Sequence, residues 1–281
     1  MAYKTVLVHC NDESRINHML GPATQVAGEF QAHLIGVSVS PPIVVFPAGM
    51  PGSPDTIVLD QHCRAYGKEN PAMKASFEAA AHARNLIAEW READAGSASV
   101  ADVVLLHART ADLIVASQSH PKWPGSQHLD IADRLVAESG RPVLIIPNKG
   151  SQQTIGKRVL VAWNARREAA RAAFDALPLL RRAKEVKVIW VNPQSDSEVA
   201  QDVPAADICV ALARHGVNCE ATQAVRPHTH VGQTLLECSS EYGADLLVMG
   251  CYGHSRLREF VFGGATRHVL WYMTLPVLMS H

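Results

Sequence analysis

The chain has 281 residues, 47% hydrophobic and 19% charged, with a formal net charge of −1. That near-neutral balance gives no electrostatic case for nucleic acid, whose binders carry a basic surface, and no run of about 18 uncharged apolar residues offers a membrane helix. The length predicts one large or two medium domains. Six cysteines, at 10, 63, 209, 219, 238 and 251 with no C-x-x-C pair, point to reduced, mostly buried thiols in a soluble, cytoplasmic protein.

In chain order, MAYKTVLVHCNDES reads as a first strand rather than a signal peptide, because its apolar run is short and no small-residue cleavage site follows. SPPIVVFPAGMPGSPD at 40–55 is too rich in Pro and Gly for regular structure. A long amphipathic stretch from about 57 to 93 follows, expected together with that loop to cover a cleft of the first half. ADLIVASQSH at 111–120 and RPVLIIP at 141–147 are strands, and NKGSQQTIGK at 148–157 is a polar linker.

Beyond the linker, VLVAW (159–163) is a buried-type strand and REAARAAFDALPLLRRA has apolar residues at helical spacing. VKVIWV (186–191) is a strand, and a helix around 198–214 ends at His215-Gly216, where Gly suits a C-cap. CEATQAV (219–225) alternates as a third strand, 231–242 is helical, ADLLVMG is a fourth strand, a helix runs toward Tyr272, and PVLMS closes as the fifth strand.

The two halves repeat. KTVLVHCNDESR at 4–15 matches KRVLVAWNARRE at 157–168, ADLIVASQSH matches ADLLVMGCYG at 244–253, and RPVLIIP matches LPVLMSH at 275–281, in the same order. Strands alternating with helices predict a parallel sheet covered on both faces. The expected fold is therefore α/β, with two tandem doubly wound domains, each a five-stranded parallel sheet flanked by helices. The predicted boundaries are 1–147, a linker at 148–157, and 158–281. The terminal strands VLIIP and VLMSH are short and apolar, and are expected to pair with each other across the two domains as an internal pseudo-dimer.

MGCYGHSRLREFVFGGATRHVL at 249–270 carries Gly250, Gly253, Gly263 and Gly264. Bare backbone between a strand and a helix makes a phosphate cradle, and two tight turns with nothing bound fit the pattern equally. Arg256, Arg258 and Arg267 are near enough in sequence to add charge, and Thr266 to donate a hydroxyl or cap the helix. Ligands of such sheets sit at the carboxyl ends of the strands, where strand order reverses. The first half has ASQSHPKWPGSQHLDIADRL instead, with no G-x-x-G, so its domain is expected to bind no polyphosphate.

Fourteen histidines, His228 and His230 in PHTHVG among them, raise a metal site, but no third and fourth ligand has a telling spacing. Neither a G-x-S-x-G elbow nor a G-x-x-x-x-G-K-[ST] loop occurs, which argues against a hydrolase and against an efficient NTPase. No catalytic residue is assigned. Trp90, Trp163, Trp190 and Trp271 fall in strand or helix runs and are expected mostly in the core or an interface, with Trp163 and Trp190 placed to line a cleft.

The order of elements, the G-x-x-G followed after nine residues by another Gly, and the terminal PVL strand resemble the universal stress protein family over the whole chain. The resemblance implies an adenine nucleotide alpha hydrolase-like fold and a stress-response sensor or regulator that binds ATP, alone or with magnesium. In ATP-binding members the motif ends G-S or G-T; here Gly264 stands at the hydroxyl position, and Thr266 matches. The same resemblance places Asn164 against the ribose and the Val191 backbone against adenine. Asn accepts and donates hydrogen bonds but brings no negative charge to a metal ion. The implied nucleotide-binding set is thus Asn164, Val191, Gly250, Gly253, Gly263, Gly264 and Thr266, with at most slow ATP hydrolysis. The resemblance equally admits a stress scaffold that binds protein partners and no nucleotide, and a homodimer of the whole chain.

Overall fold

The computed structural model describes residues 2–10, 12–41, 70–119, 131–149, 154–192, 205–251 and 264–281. The first half contains β1 (Thr5–His9), α1 (Glu13–Phe30), β2 (His33–Ser40), α2 (helical residues 70–82), β3 (Ala88–Asp94), α3 (Val100–Ala108), β4 (Leu113–Ser117), α4 (Ala132–Glu138) and β5 (Val143–Ile146). The second contains β6 (Arg158–Trp163), α5 (Arg167–Asp175), α6 (Leu177–Leu180), β7 (Glu185–Val191), α7 (Ala206–Arg214), β8 (Cys219–Ala224), α8 (Val231–Tyr242), β9 (Leu246–Gly250), α9 (Gly264–Tyr272) and β10 (Val277–Ser280).

All ten strands form one sheet in the order β3-β2-β1-β4-β5-β10-β9-β6-β7-β8. Every pairing is parallel except β5 with β10, where Val277 faces Ile145, Leu278 faces Leu144 and Met279 faces Val143. The terminal strands therefore do pair across the halves. The paired residues are apolar and buried, so each strand removes the other's unpaired edge from water. Because strand direction reverses at this junction, each half keeps its own edge of strand carboxyl ends.

β1, β4, β6 and β9 are runs of aliphatic residues because helices cover them on both faces. One core joins α1, α2, α5, α6 and α7 to one face; the other joins α3, α4, α8 and α9 to the opposite face. Asp12 starts α1 by accepting from the Ser14 amide at 2.7 Å, and Ser99 with Asp102 forms a capping box on α3. Gly36 in β2 lets Phe77 and Trp90 lie over the strand, since a Cβ there would come within 2.9 Å of both rings.

Three sequence expectations need correction. The amphipathic stretch to residue 93 is not one element: helix stops at residue 82 and Ala88–Asp94 is the edge strand β3, paired along β2. Its sequence AEWREAD looks helical because an edge strand leaves alternate and even successive side chains in water. The segment after β6 breaks into α5 and α6 around Ala176, with Pro178 in the first turn of α6. Trp271 is exposed on α9, with the Arg267 guanidinium 4.1 Å from its ring centre, rather than in a core. The loop at 42–55, expected over the first half's cleft, lies outside the described residues.

Candidate functional site

Strand order in the second half reverses between β6 and β9, so the carboxyl ends of β9, β6 and β7 stand side by side. Three of the expected residues lie along that edge: Gly250 ends β9, Asn164 follows β6 and Val191 ends β7. Gly264 and Thr266 open α9. Gly253, Gly263, His254, Arg256 and Arg258 lie outside the described residues.

Local bonding constrains each position. The Asn164 side chain is exposed and accepts from the Arg166 amide at 3.1 Å, an Asx-type turn into α5. Beyond Val191, Asn192 adopts φ 48° and clips β7 to the loop after β8. Its Oδ1 accepts from the Arg226 amide at 2.6 Å, and its Nδ2 donates to the Arg226 carbonyl at 3.1 Å. Thr266 is buried in the first turn of α9, and Arg267 is engaged with Trp271.

Gly250 has a packing reason of its own. A Cβ at this position would fall 2.3 Å from the Glu168 carbonyl carbon and 2.5 Å from the Ala169 nitrogen, so the first turn of α5 rests directly on bare backbone. Gly264 is different: its hypothetical Cβ meets only the His230 imidazole, 2.7 Å from Nε2. His230 caps α8, its Nδ1 accepting from the Gly232 amide at 3.2 Å, which leaves Nε2 as the protonated nitrogen of the neutral ring. The ring stacks on His268 at 4.9 Å, and His268 in turn meets Tyr272 at 4.7 Å. Burial, then the neighbouring His230, hold His268 below the ordinary histidine pKa. His230 is thus a cap and stacking partner, and among the described residues no group of three or more His, Cys, Asp or Glu is arranged to hold a metal ion.

Sequence reasoning missed Glu168, Thr234 and Ser280. Glu168 is 5% exposed in the first turn of α5, paired through Oε1 with Arg167, while its Oε2 is buried without a hydrogen-bond partner. Burial opposes its negative charge, but the Arg167 side chain keeps the carboxyl below the ordinary value. Thr234 Oγ1, in the first turn of α8, and Ser280 Oγ, at the end of β10, are also buried and unpartnered. All three stand at the carboxyl-end edge of the second half. Nearby, Cys251 donates from Sγ to the Ser280 carbonyl at 3.2 Å, and burial followed by the Glu168 charge pushes its thiol pKa up. The sequence signal for Glu168 was available: the repeat aligns it with Arg15.

The first half fills the equivalent edge with its own side chains. Arg15 donates to the Gln118 carbonyl at 2.6 Å and to Asn148 Oδ1 at 2.5 Å, and the Asn148 amide donates to Gln118 Oε1 at 2.9 Å. Gln118 Nε2 reaches into the second half, donating to the carbonyls of Leu270 at 2.9 Å and Trp271 at 3.2 Å at the end of α9. His18 Nε2 lies 2.6 Å from the Pro147 carbonyl.

No helix among the described residues is long and apolar enough to cross a membrane. The model of the universal stress protein family matches residues 156–281. A curated universal stress protein of Synechocystis is 27% identical over 148 residues, which cover 52% of this chain and 49% of the relative; the match thus spans about half the length of each. A universal stress protein structure from Archaeoglobus fulgidus aligns over 98% of this chain and 95% of its own, with TM-score 0.70 and 15% identity. A Pseudomonas aeruginosa protein of unknown function aligns over 99% of this chain and 92% of its own, with TM-score 0.55 and 14% identity. At such identities the structural likenesses speak to the fold, an α/β sheet built from two halves. The family model covers the half in which the glycine stretch lies, and residues 156–281 are similar to the universal stress protein family.

Proposed function

We propose that the second domain, residues 158–281, binds an adenine nucleotide at the carboxyl ends of β9, β6 and β7, and that the protein acts in the stress response as a nucleotide-dependent sensor or regulator. One observation carries this reading: Glu168 Oε2, Thr234 Oγ1 and Ser280 Oγ are buried without partners at that edge. Buried polar atoms without partners are costly, about 1–3 kcal/mol each, and are rare unless a ligand or water completes them.

The donor set suits a nucleoside polyphosphate in parts. The amide of Gly264 opens a nine-residue helix, whose amino end favours a phosphate. Glu168 would repel phosphate, so its free oxygen suits a ribose hydroxyl or a magnesium-bound water. Asn164 and the backbone beyond Val191 remain the proposed ribose and adenine contacts, and Gly253, Gly263 and Thr266 complete the proposed set. Gly250 is accounted for by the seat of α5, so phosphate contact there is not required to explain it. Bound ATP with magnesium would supply a charged occupancy signal; the chain's own residues bind and orient it. The first domain, whose edge is closed by Arg15, Gln118 and Asn148, is proposed as a structural partner in an internal pseudo-dimer.

A second reading, a scaffold that binds protein and no nucleotide, is favoured by the packing role of Gly250. Mass spectrometry of small molecules released from freshly purified, denatured protein, followed by ATP titration with and without magnesium, separates the two. Adenine nucleotide released or bound supports the sensor, and silence in both assays refutes it. Gly263→Val is expected to abolish binding in a folded protein; unchanged affinity would remove the glycine stretch from the site.

A further inference from the structure

Cys209 on α7 and Cys219 on β8 are ten residues apart and touch. The Cys219 thiol donates to the Cys209 carbonyl at 3.8 Å. Both are half-buried, and β8 is the outermost strand of the sheet, so no further strand screens the pair from solvent. Cys10 and Cys251, by contrast, are sealed in the cores at 1% exposure.

We propose that Cys209 and Cys219 are an oxidant-responsive dithiol, which hydrogen peroxide converts to an intramolecular disulfide that pins α7 to the edge strand β8. Cys219, on the outermost strand of the sheet, attacks first through its thiolate. Its sulfur takes one peroxide oxygen, the O–O bond breaks, hydroxide leaves and takes up a proton, and a sulfenic acid remains. The Cys209 thiolate then attacks that sulfur, the S–S bond forms, the S–O bond breaks and a second water leaves. The two thiols supply the two electrons that reduce one peroxide to two waters. Only a four-residue turn, 215–218, separates the end of α7 from β8, and the Cys219 sulfur already lies against the Cys209 backbone.

Burial pushes the Cys209 thiol up to about 12 and raises Cys219 as well. Reaction therefore proceeds through a minor thiolate and is expected to speed up about tenfold per pH unit in the neutral range. This dithiol does not depend on the nucleotide reading.

The test is peroxide or diamide treatment of the full chain, followed by digestion with trypsin and a Glu-specific protease without reductant. Cleavage after Glu198, Arg214 and Glu220 frees residues 199–214 and 215–220, each with one cysteine. The expected result is a joined pair of these peptides, lighter by two hydrogens than their sum, separated by reductant, and absent from Cys209→Ser and from Cys219→Ser. The proposal is overturned if oxidation yields only sulfur–oxygen acids at these positions, if Cys219 joins a second chain instead, or if Cys238 oxidises while the pair stays reduced.

Discussion

Arg15 and Glu168 occupy equivalent places in the two halves, related by the same offset of 153 residues that carries Thr5 of β1 onto Arg158 of β6. In the first half the guanidinium is tied to the Gln118 carbonyl and to Asn148. In the second the carboxylate holds one oxygen buried and unpartnered. One fold position thus closes one crevice with a cation and leaves the other with an unfilled acceptor.

Loss of that cation should weaken the first half. Arg15→Ala removes two charge-assisted hydrogen bonds, and an equilibrium urea titration is expected to report a loss of about 1.5–3 kcal/mol. A stability within about 0.5 kcal/mol of the parent would show that the network contributes nothing.

Glu168→Gln keeps the shape and withdraws the charge. If the nucleotide reading holds, ATP affinity in the presence of magnesium should fall about tenfold or more, because a hydrogen bond to a charged acceptor is worth roughly 1.5–3 kcal/mol. Calorimetry with and without magnesium checks this; equal affinity for both proteins would take Glu168 out of the site.

The two described glycines of the motif should respond unequally to a methyl group. Gly250→Ala drives Cβ into the backbone of Glu168 and Ala169, which has no room to retreat, so the loss should reach about 1–3 kcal/mol or more. Gly264→Ala meets the His230 ring, an exposed side chain that can move aside by giving up its cap on α8 and its stack on His268, and should cost less, about 1 kcal/mol. Thermal melts of the two ligand-free variants compare them directly, and equal shifts would refute the packing account of Gly250.

His9 gives stability a defined acid dependence. It is 1% exposed with Nε2 unpartnered, and burial, then the Arg15 charge, hold its pKa down at about 3. An unfolded histidine titrates near 6.5, so below that pH the unfolded chain takes up a proton that the native state refuses. Stability contributed by neutral His9 is complete above about 6.5 and declines toward pH 3, at about 1.4 kcal/mol per unit. His9→Leu should flatten this slope in urea titrations between pH 6.5 and 4. Asp102, held down at about 2 by Ser99 and Arg134, acts in a lower window that overlaps that of His9 only below about pH 4, its contribution lost as pH falls from about 4 toward 2. An unchanged slope in His9→Leu would assign the acid sensitivity elsewhere.

Much of the architecture was legible in the residues because its signals are local. Aliphatic runs such as VLVAW and ADLLVM announce strands buried on both faces, and the helix expected at about 231–242 is Val231–Tyr242. β3 was not legible, since AEWREAD forms an edge strand with side chains in water on both faces and so carries no period-two apolar signal. Glu168, Thr234 and Ser280 were missed for a related reason: a buried acceptor is recognisable only when its surroundings are known, and those come from β10, α5 and α8, far apart in sequence.

What the sequence determined by itself was the repeat, the alternation of strand and helix, and the apolar terminal strands, all of which follow from hydrophobic periodicity and self-similarity along the chain. Only the tertiary structure decided how those pieces meet. The antiparallel β5–β10 junction makes one ten-stranded sheet, the first turn of α5 claims the bare backbone of Gly250, and Cys209 comes against Cys219. Such contacts depend on strand order and helix seating, which are set by packing between residues distant in the chain and leave no local pattern to read.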